Sequence, residues 1–161
     1  MDPRLKAFED LLDVMDRLRA ECPWDKKQTI ASLRKLTIEE TYELSDAIIV
    51  DDLVAIKEEL GDIMLHLIFY SKIASEQNAF DITDVLTSIK EKLIYRHPHI
   101  YGNTIVADEE EVARNWEALK MKEGKKSVLE GVPRSMAPMV KAQRIQEKVK
   151  SVGFDWENKE Q

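Results

Sequence analysis

Leu5, Phe8, Leu11, Leu12, Met15 and Leu18 recur at steps of three and four residues, which predicts an amphipathic helix over residues 3–20. Pro3 suits its first turn. The segment Glu21-Cys22-Pro23-Trp24-Asp25 breaks it, because Pro23 disfavours the helical region at Cys22. Helix resumes over 29–50. Thr37 with Glu40 three residues on reads as a capping box, which would divide this stretch into two helices. Asp51-Asp52 form a turn, and a third long helix follows over 53–77, with Gly61 in its interior for close packing and Asn78 as its stop. Asp81 or Thr83 caps a fourth helix, which ends at Arg96 before Pro98. Residues 99–107 read as loop. Asp108 opens a fifth helix with Val112, Trp116 and Leu119 as its apolar stripe. Residues 124–138, with prolines and glycines, read as a linker. Residues 139–149 form a basic helix, followed by Gly153-Phe154-Asp155-Trp156. No segment alternates as a strand would, so the predicted fold is all-α, a bundle with short connections. Its domain is expected over residues 1–123, with the linker and last helix over 124–161.

One stripe departs from simple amphipathicity. Leu36, Glu40, Glu43, Ala47 and Val50 follow heptad-like spacing, and so do Ala55, Glu59, Asp62, His66 and Phe69. Each seam is apolar at its ends and acidic in its middle. The Asp51-Asp52 turn makes the two helices antiparallel, which brings the acidic pairs level. Four buried anions would repel one another and lose their hydration. A divalent cation resolves both problems, and an all-carboxylate set suits Mg²⁺, with Mn²⁺ as the alternative ion. The competing reading is a solvated acidic face paired with Lys57 and Arg34. Glu58 and Glu39 fit such a face.

Composition narrows the classes. Apolar residues make up 43% of 161, with five glycines and five prolines, which fits one helical globular domain. A net charge of −7 argues against a nucleic-acid polymer as partner. It does not oppose a small phosphate ester, since a metal inverts the local sign. Cys22 is the single cysteine and reads as structural. The first twenty residues are charged throughout, unlike a secretion signal, and the apolar runs are too short for a membrane span. The expected location is the cytoplasm.

The residues carry a resemblance. Glu39-Glu40-Thr41-Tyr42-Glu43, then fifteen residues, then Glu59-Leu60-Gly61-Asp62, resembles the EExxE…ExxD signature of the all-α nucleoside triphosphate pyrophosphohydrolases. CPWDKKQT, LTIEETYEL, EELGDIMLH, KLIYRHPHIYG, NWEALKMKE and KAQRIQEKVKSVGFDW resemble the first, N-terminal domain of the MazG family, over nearly the whole chain. The resemblance implies the helical bundle of that superfamily, assembled as a homodimer. It also implies cleavage of nucleoside triphosphates between the α and β phosphates, with Mg²⁺ as cofactor, to monophosphate and pyrophosphate. The family's metal ligands fall on Glu40, Glu43, Glu59 and Asp62. Its phosphate-binding residues fall on Lys92 and Arg96, and its nucleotide contacts on Trp116 and Lys120. In longer members a second domain begins soon after the VGFDW segment.

The residues agree with this reading. Lys92 and Arg96 are four apart on one helical face, a point charge and a fork for phosphate oxygens. Trp116 can stack a base or fill a core. Glu39 or Glu43 can orient or deprotonate a water. Trp24 and Asp25, in a break between helices, can wall a base pocket and accept from an exocyclic amine. Gln28 and Arg34 are weaker candidates. His66 reads as a satisfied core histidine or a donor to a ligand carboxylate. His97 and His99 suit a helix C-terminus. Two other functions compete: a metal- and nucleotide-binding dimerisation domain without turnover, and a structural bundle that docks through its basic 141–150 helix.

Overall fold

A computed structural model describes residues 2–123, 127–150 and 153–154. Among these there is no strand, and the fold is all-α. Seven helices run in order: α1 (Pro3–Glu21), α2 (Ile30–Ile49), α3 (Leu53–Glu76), α4 (Ile82–Arg96), α5 (Pro98–Tyr101), α6 (Glu109–Lys122) and α7 (Pro138–Lys150). A 3₁₀ turn, Asp25–Lys27, sits between α1 and α2. The linker residues 124–126 and most of the VGFDW segment lie outside the described residues. The chain forms two compact units, Met1–Ile89 and Lys90–Gln161, whose boundary falls inside α4.

Local chemistry explains where the helices begin and end. Asp2 accepts from the Arg4 amide ahead of Pro3. Thr29, not Thr37, opens α2: Thr29 and Ser32 cap each other reciprocally at 3.0 and 2.9 Å. The expected division at Thr37 is absent, because Leu33 already lies on the core stripe and carries the helix through it. The Thr37 hydroxyl instead bonds the Leu33 carbonyl and the Tyr70 hydroxyl, at 3.1 and 2.6 Å, tying α2 to α3. Asp52 caps α3 through the Val54 and Ala55 amides.

The α3 helix ends as predicted at Asn78, whose φ of 54° lets the Asn78 and Ala79 amides return to Ser75 and Ala74. Asp81, rather than Thr83, caps α4 with Asp84 in reciprocal bonds. Asp108 caps α6 by accepting from the Glu111 amide. The 99–107 segment is not all loop: Pro98 fits a first helical position and starts the single turn α5. Gly61 has open space around its Cβ direction, so the close packing expected there is not seen.

Within the first unit, the core is Met15 from α1, Leu33 from α2, and Ile68, Phe69 and Ile73 from α3, flanked by Phe8, Leu11, Leu12, Leu36, Leu65, Tyr70 and Ile82. The α2–α3 pair is the main helix packing, and α1 lies against α3. Leu33 is fully buried. Leu33→Ala is expected to lower unfolding free energy by about 2–5 kcal/mol, read as a fall in the urea midpoint at unchanged slope.

Candidate metal centre and nucleotide-binding residues

The acidic seam is present, with a correction. Glu40 on α2 and Glu59 on α3 are half-buried, whereas Glu43 and Asp62 are exposed, as is Val50 at the turn. The acids therefore do not form a sealed set of four; hydration of the outer two carboxylates outweighs their enclosure. Carboxylate oxygens of Glu40, Glu43 and Glu59 lie within 4.8 Å of one another. Asp62 falls outside that trio, but its charge acts on both Glu40 and Glu59.

Burial raises the Glu40 carboxyl above its ordinary range, and the charges of Asp62, Glu43 and Glu39 push the same way, against a hydrogen bond with Glu59. Glu59 is likewise raised by burial and then by Glu43, Glu40, Asp62 and Glu58. Its Oε2 is buried without a hydrogen-bond partner. Leaving a buried acceptor unpaired is costly. Among the described residues none of these acids forms an ion pair, so the salt-bridged face with Lys57 and Arg34 is not what the structure shows. Converging carboxylates, raised protonation and an orphaned oxygen fit a divalent cation.

His66 is buried one turn beyond Asp62 on α3, but it is not the satisfied core histidine expected, because its Nδ1 has no partner. Burial holds its pKa below the ordinary value, against the pull of Asp62.

The α1–α2 break is also in the first unit. Trp24 is 54% exposed, so it is no packed anchor, while Asp25 is buried. Gln28 braces this loop rather than facing outward: its side chain donates to the Trp24 carbonyl at 3.1 Å and accepts from Ser32 at 2.7 Å. Sequence reasoning missed Arg19. Its guanidinium donates to the Asp25 and Gln28 carbonyls and grips the Glu76 carboxylate. Arg19 follows Leu12 and Met15 at helical spacing, which gives its face of α1 but no signal of a partner 57 residues away.

In the second unit, three of the four predicted substrate residues come together. Arg96 lies 5.2 Å from the Trp116 ring centroid and Lys120 5.9 Å from it, with His97 edge-on at 5.0 Å. Lys92 is exposed on α4. Arg96 is buried and forked onto Glu123, which holds the guanidinium firmly charged, and Lys120 pairs with Glu117. Glu117 stands three residues before Lys120, a pairing that helical spacing offers, whereas Glu123, 27 residues from Arg96, was not legible as a partner. Trp116, Val112, Ala113, Arg114 and Lys150 line an open hollow of about 780 Å³.

Comparison with known proteins bears on these residues. Residues 28–101 match the MazG nucleotide pyrophosphohydrolase domain, a span that includes the acids of α2 and α3 and both Lys92 and Arg96. The chain is 39% identical to a nucleoside triphosphate pyrophosphohydrolase of Escherichia coli (strain K12), over 94% of this chain and 60% of the relative. It is 42% identical to a protein of Thermotoga maritima named nucleoside triphosphate pyrophosphohydrolase/pyrophosphatase MazG, over 95% and 60%. The chain thus spans about 60% of the length of these curated relatives. The crystal structure of a mazG-related protein from Thermotoga maritima superimposes with a TM-score of 0.62 at 26% identity, covering 70% of this chain and 98% of that one. With a match around its acidic seam and relatives aligned along nearly all of its length, this chain carries a MazG nucleotide pyrophosphohydrolase domain.

Proposed function

We propose that this chain is a Mg²⁺-dependent nucleoside triphosphate pyrophosphohydrolase, converting a triphosphate and water to monophosphate and pyrophosphate by cleavage between the α and β phosphates. The observation that carries the reading is the trio Glu40, Glu43 and Glu59, within 4.8 Å, with a buried, partnerless Glu59 oxygen among them. Glu40, Glu43, Glu59 and Asp62 would hold the cation, Mn²⁺ serving as the alternative. When bound, it supplies neutralising charge to phosphate oxygens and acidifies water.

The chain's own groups do the rest. Glu39, exposed and adjacent to Glu40, or Glu43 orients the attacking water and takes its proton. Lys92, Arg96 and Lys120 stabilise charge developing on the departing pyrophosphate. Trp116 offers a ring face to the base, and Trp24 and Asp25 contact the nucleoside. Arg96 exchanges Glu123 for phosphate when substrate arrives.

The same reading includes a homodimer acting in the cytoplasm. Ile38, Tyr42 and Ile49 on α2, with Leu53, Leu60, Met64 and Leu67 on α3, leave large apolar side chains exposed. A second copy covering that face would complete a four-helix packing. Among the described residues no helix is long and apolar enough to cross a membrane.

A second reading, nucleotide and metal binding without turnover, is favoured by one observation: Arg96 and Lys120 are already paired with Glu123 and Glu117. Calorimetric titration with Mg²⁺ and a non-hydrolysable triphosphate, beside a pyrophosphate-release assay over a nucleotide panel, separates the two. Binding with release supports the enzyme. Binding without release supports the second reading.

A further inference from the structure

The loop from Cys22 to Gln28 is braced from within by Gln28 and tied to the helices around it by Arg19. Arg19 Nη1 donates to the carbonyls of Asp25 and Gln28, while Nε and Nη2 bond the Glu76 carboxylate at 2.9 Å each. The guanidinium also lies 5.8 Å from the Phe69 ring centroid, in the core. Only 12% of the Arg19 side chain is exposed. Both carbonyls are backbone groups, and the charge of the buried Asp25 carboxylate adds to the attraction, while the exposed Trp24 side chain is left unused by the anchoring. Glu76 is the last residue of α3, the helix that carries Glu59 and Asp62. One planar fork therefore ties the loop to the helix bearing two of the acids. A lysine could not do this: it is a single point charge and cannot span two carbonyls and a carboxylate together.

We propose that Arg19 is a positioning residue for the nucleotide, holding the Cys22–Gln28 loop on α3 so that Trp24 and Asp25 meet the substrate. This rests on the triphosphate-hydrolase reading above. The guanidinium bonds go to the loop and Glu76 and none reaches the acidic trio, so its loss is expected to affect nucleotide capture rather than metal binding or the chemical step.

The test compares the full chain with Arg19→Lys, Trp24→Ala and the double variant, measuring pyrophosphate release at saturating Mg²⁺. Arg19→Lys is expected to raise KM about tenfold while kcat stays within about threefold. The Mg²⁺ activation midpoint should not move. In the Trp24→Ala background, Arg19→Lys should add less than about twofold to KM, because both act through one loop. An unchanged KM, a shifted Mg²⁺ midpoint, or effects that multiply would overturn the proposal. Should Arg19→Lys not fold, Glu76→Gln weakens the same anchor and should raise KM about threefold, with no rise counting against it. If the unmodified chain releases no pyrophosphate, the hydrolase reading fails by itself. The same variants are then compared by calorimetry with Mg²⁺ and a non-hydrolysable triphosphate, where the same ratios are expected in Kd. Equal Kd values, or no binding by the unmodified chain, overturn the positioning role as well.

Discussion

Glu43→Gln is expected to reduce metal-dependent pyrophosphate release by about 10²–10⁴-fold without destabilising the fold. The two halves of this expectation have one origin. Glu43 is exposed, so its side chain contributes little to the core, yet its carboxylate lies within 4.8 Å of oxygens of Glu40 and Glu59. Its charge is among the causes that raise both of those neighbours. Glutamine keeps the volume and removes the charge. The metal-free variant should therefore melt no lower than the parent chain, and somewhat higher at neutral pH. The pairing is diagnostic: a variant that is inactive because it unfolds would lose thermal stability together with activity. Full activity in a folded Glu43→Gln protein would remove Glu43 from the site.

The second large effect is on stability. A cation that binds only the folded chain raises its stability by mass action, by about 2.7 kcal/mol at a hundred times Kd. For a chain of this length that is a rise of about 5–11 °C in Tm. The rise should disappear in Glu59→Gln. Without metal, the sign with pH follows from the raised carboxyls. Glu40 and Glu59 bind protons more tightly folded than unfolded. Their ionisation therefore costs stability above the raised folded values, and the cost vanishes as pH falls below the ordinary glutamate range. Glu76 runs the other way. Its hydrogen bond from Arg19 holds its carboxyl low, so it stabilises at neutral pH and that contribution is lost on acidification. Comparing the parent with a Glu40→Gln, Glu59→Gln double variant isolates the first effect. The double variant should be the more stable at neutral pH without metal, and the gap should close as pH falls.

Much of this was legible in the sequence because it is periodic. The α2 and α3 seams repeat at helical spacing, and a two-residue turn joins them, so facing acids follow from position alone. The caps at Asp108, Asp81 and Asn78 are local chemistry and were likewise readable. Thr37 misled because a capping signature carries no information about whether the preceding turn is already bound to a core. Leu33, fully buried, decides that, and burial is a tertiary property. The same limit hid the exposure of Glu43 and Asp62, since spacing gives the face of a helix but not the depth of the seam. Partners far apart in the chain left no trace. Arg19 with Glu76, and Arg96 with Glu123, lie 57 and 27 residues apart, and each is an ordinary charge until the fold joins them. These pairings bear on mechanism: the first fixes a loop beside the break at Pro23, and the second occupies a cation proposed to meet phosphate.

The carboxylates of α2 and α3 are proposed to make this chain a metal-dependent enzyme acting at the α–β linkage. Product analysis tests it most directly: nucleoside triphosphates are incubated with the full chain, with Mg²⁺ or with a chelator, and the phosphorus-containing products are resolved by ³¹P NMR. Nucleoside monophosphate and pyrophosphate are expected in equal amounts with Mg²⁺, and neither with chelator. Diphosphate with orthophosphate, or turnover that persists in chelator, would contradict it.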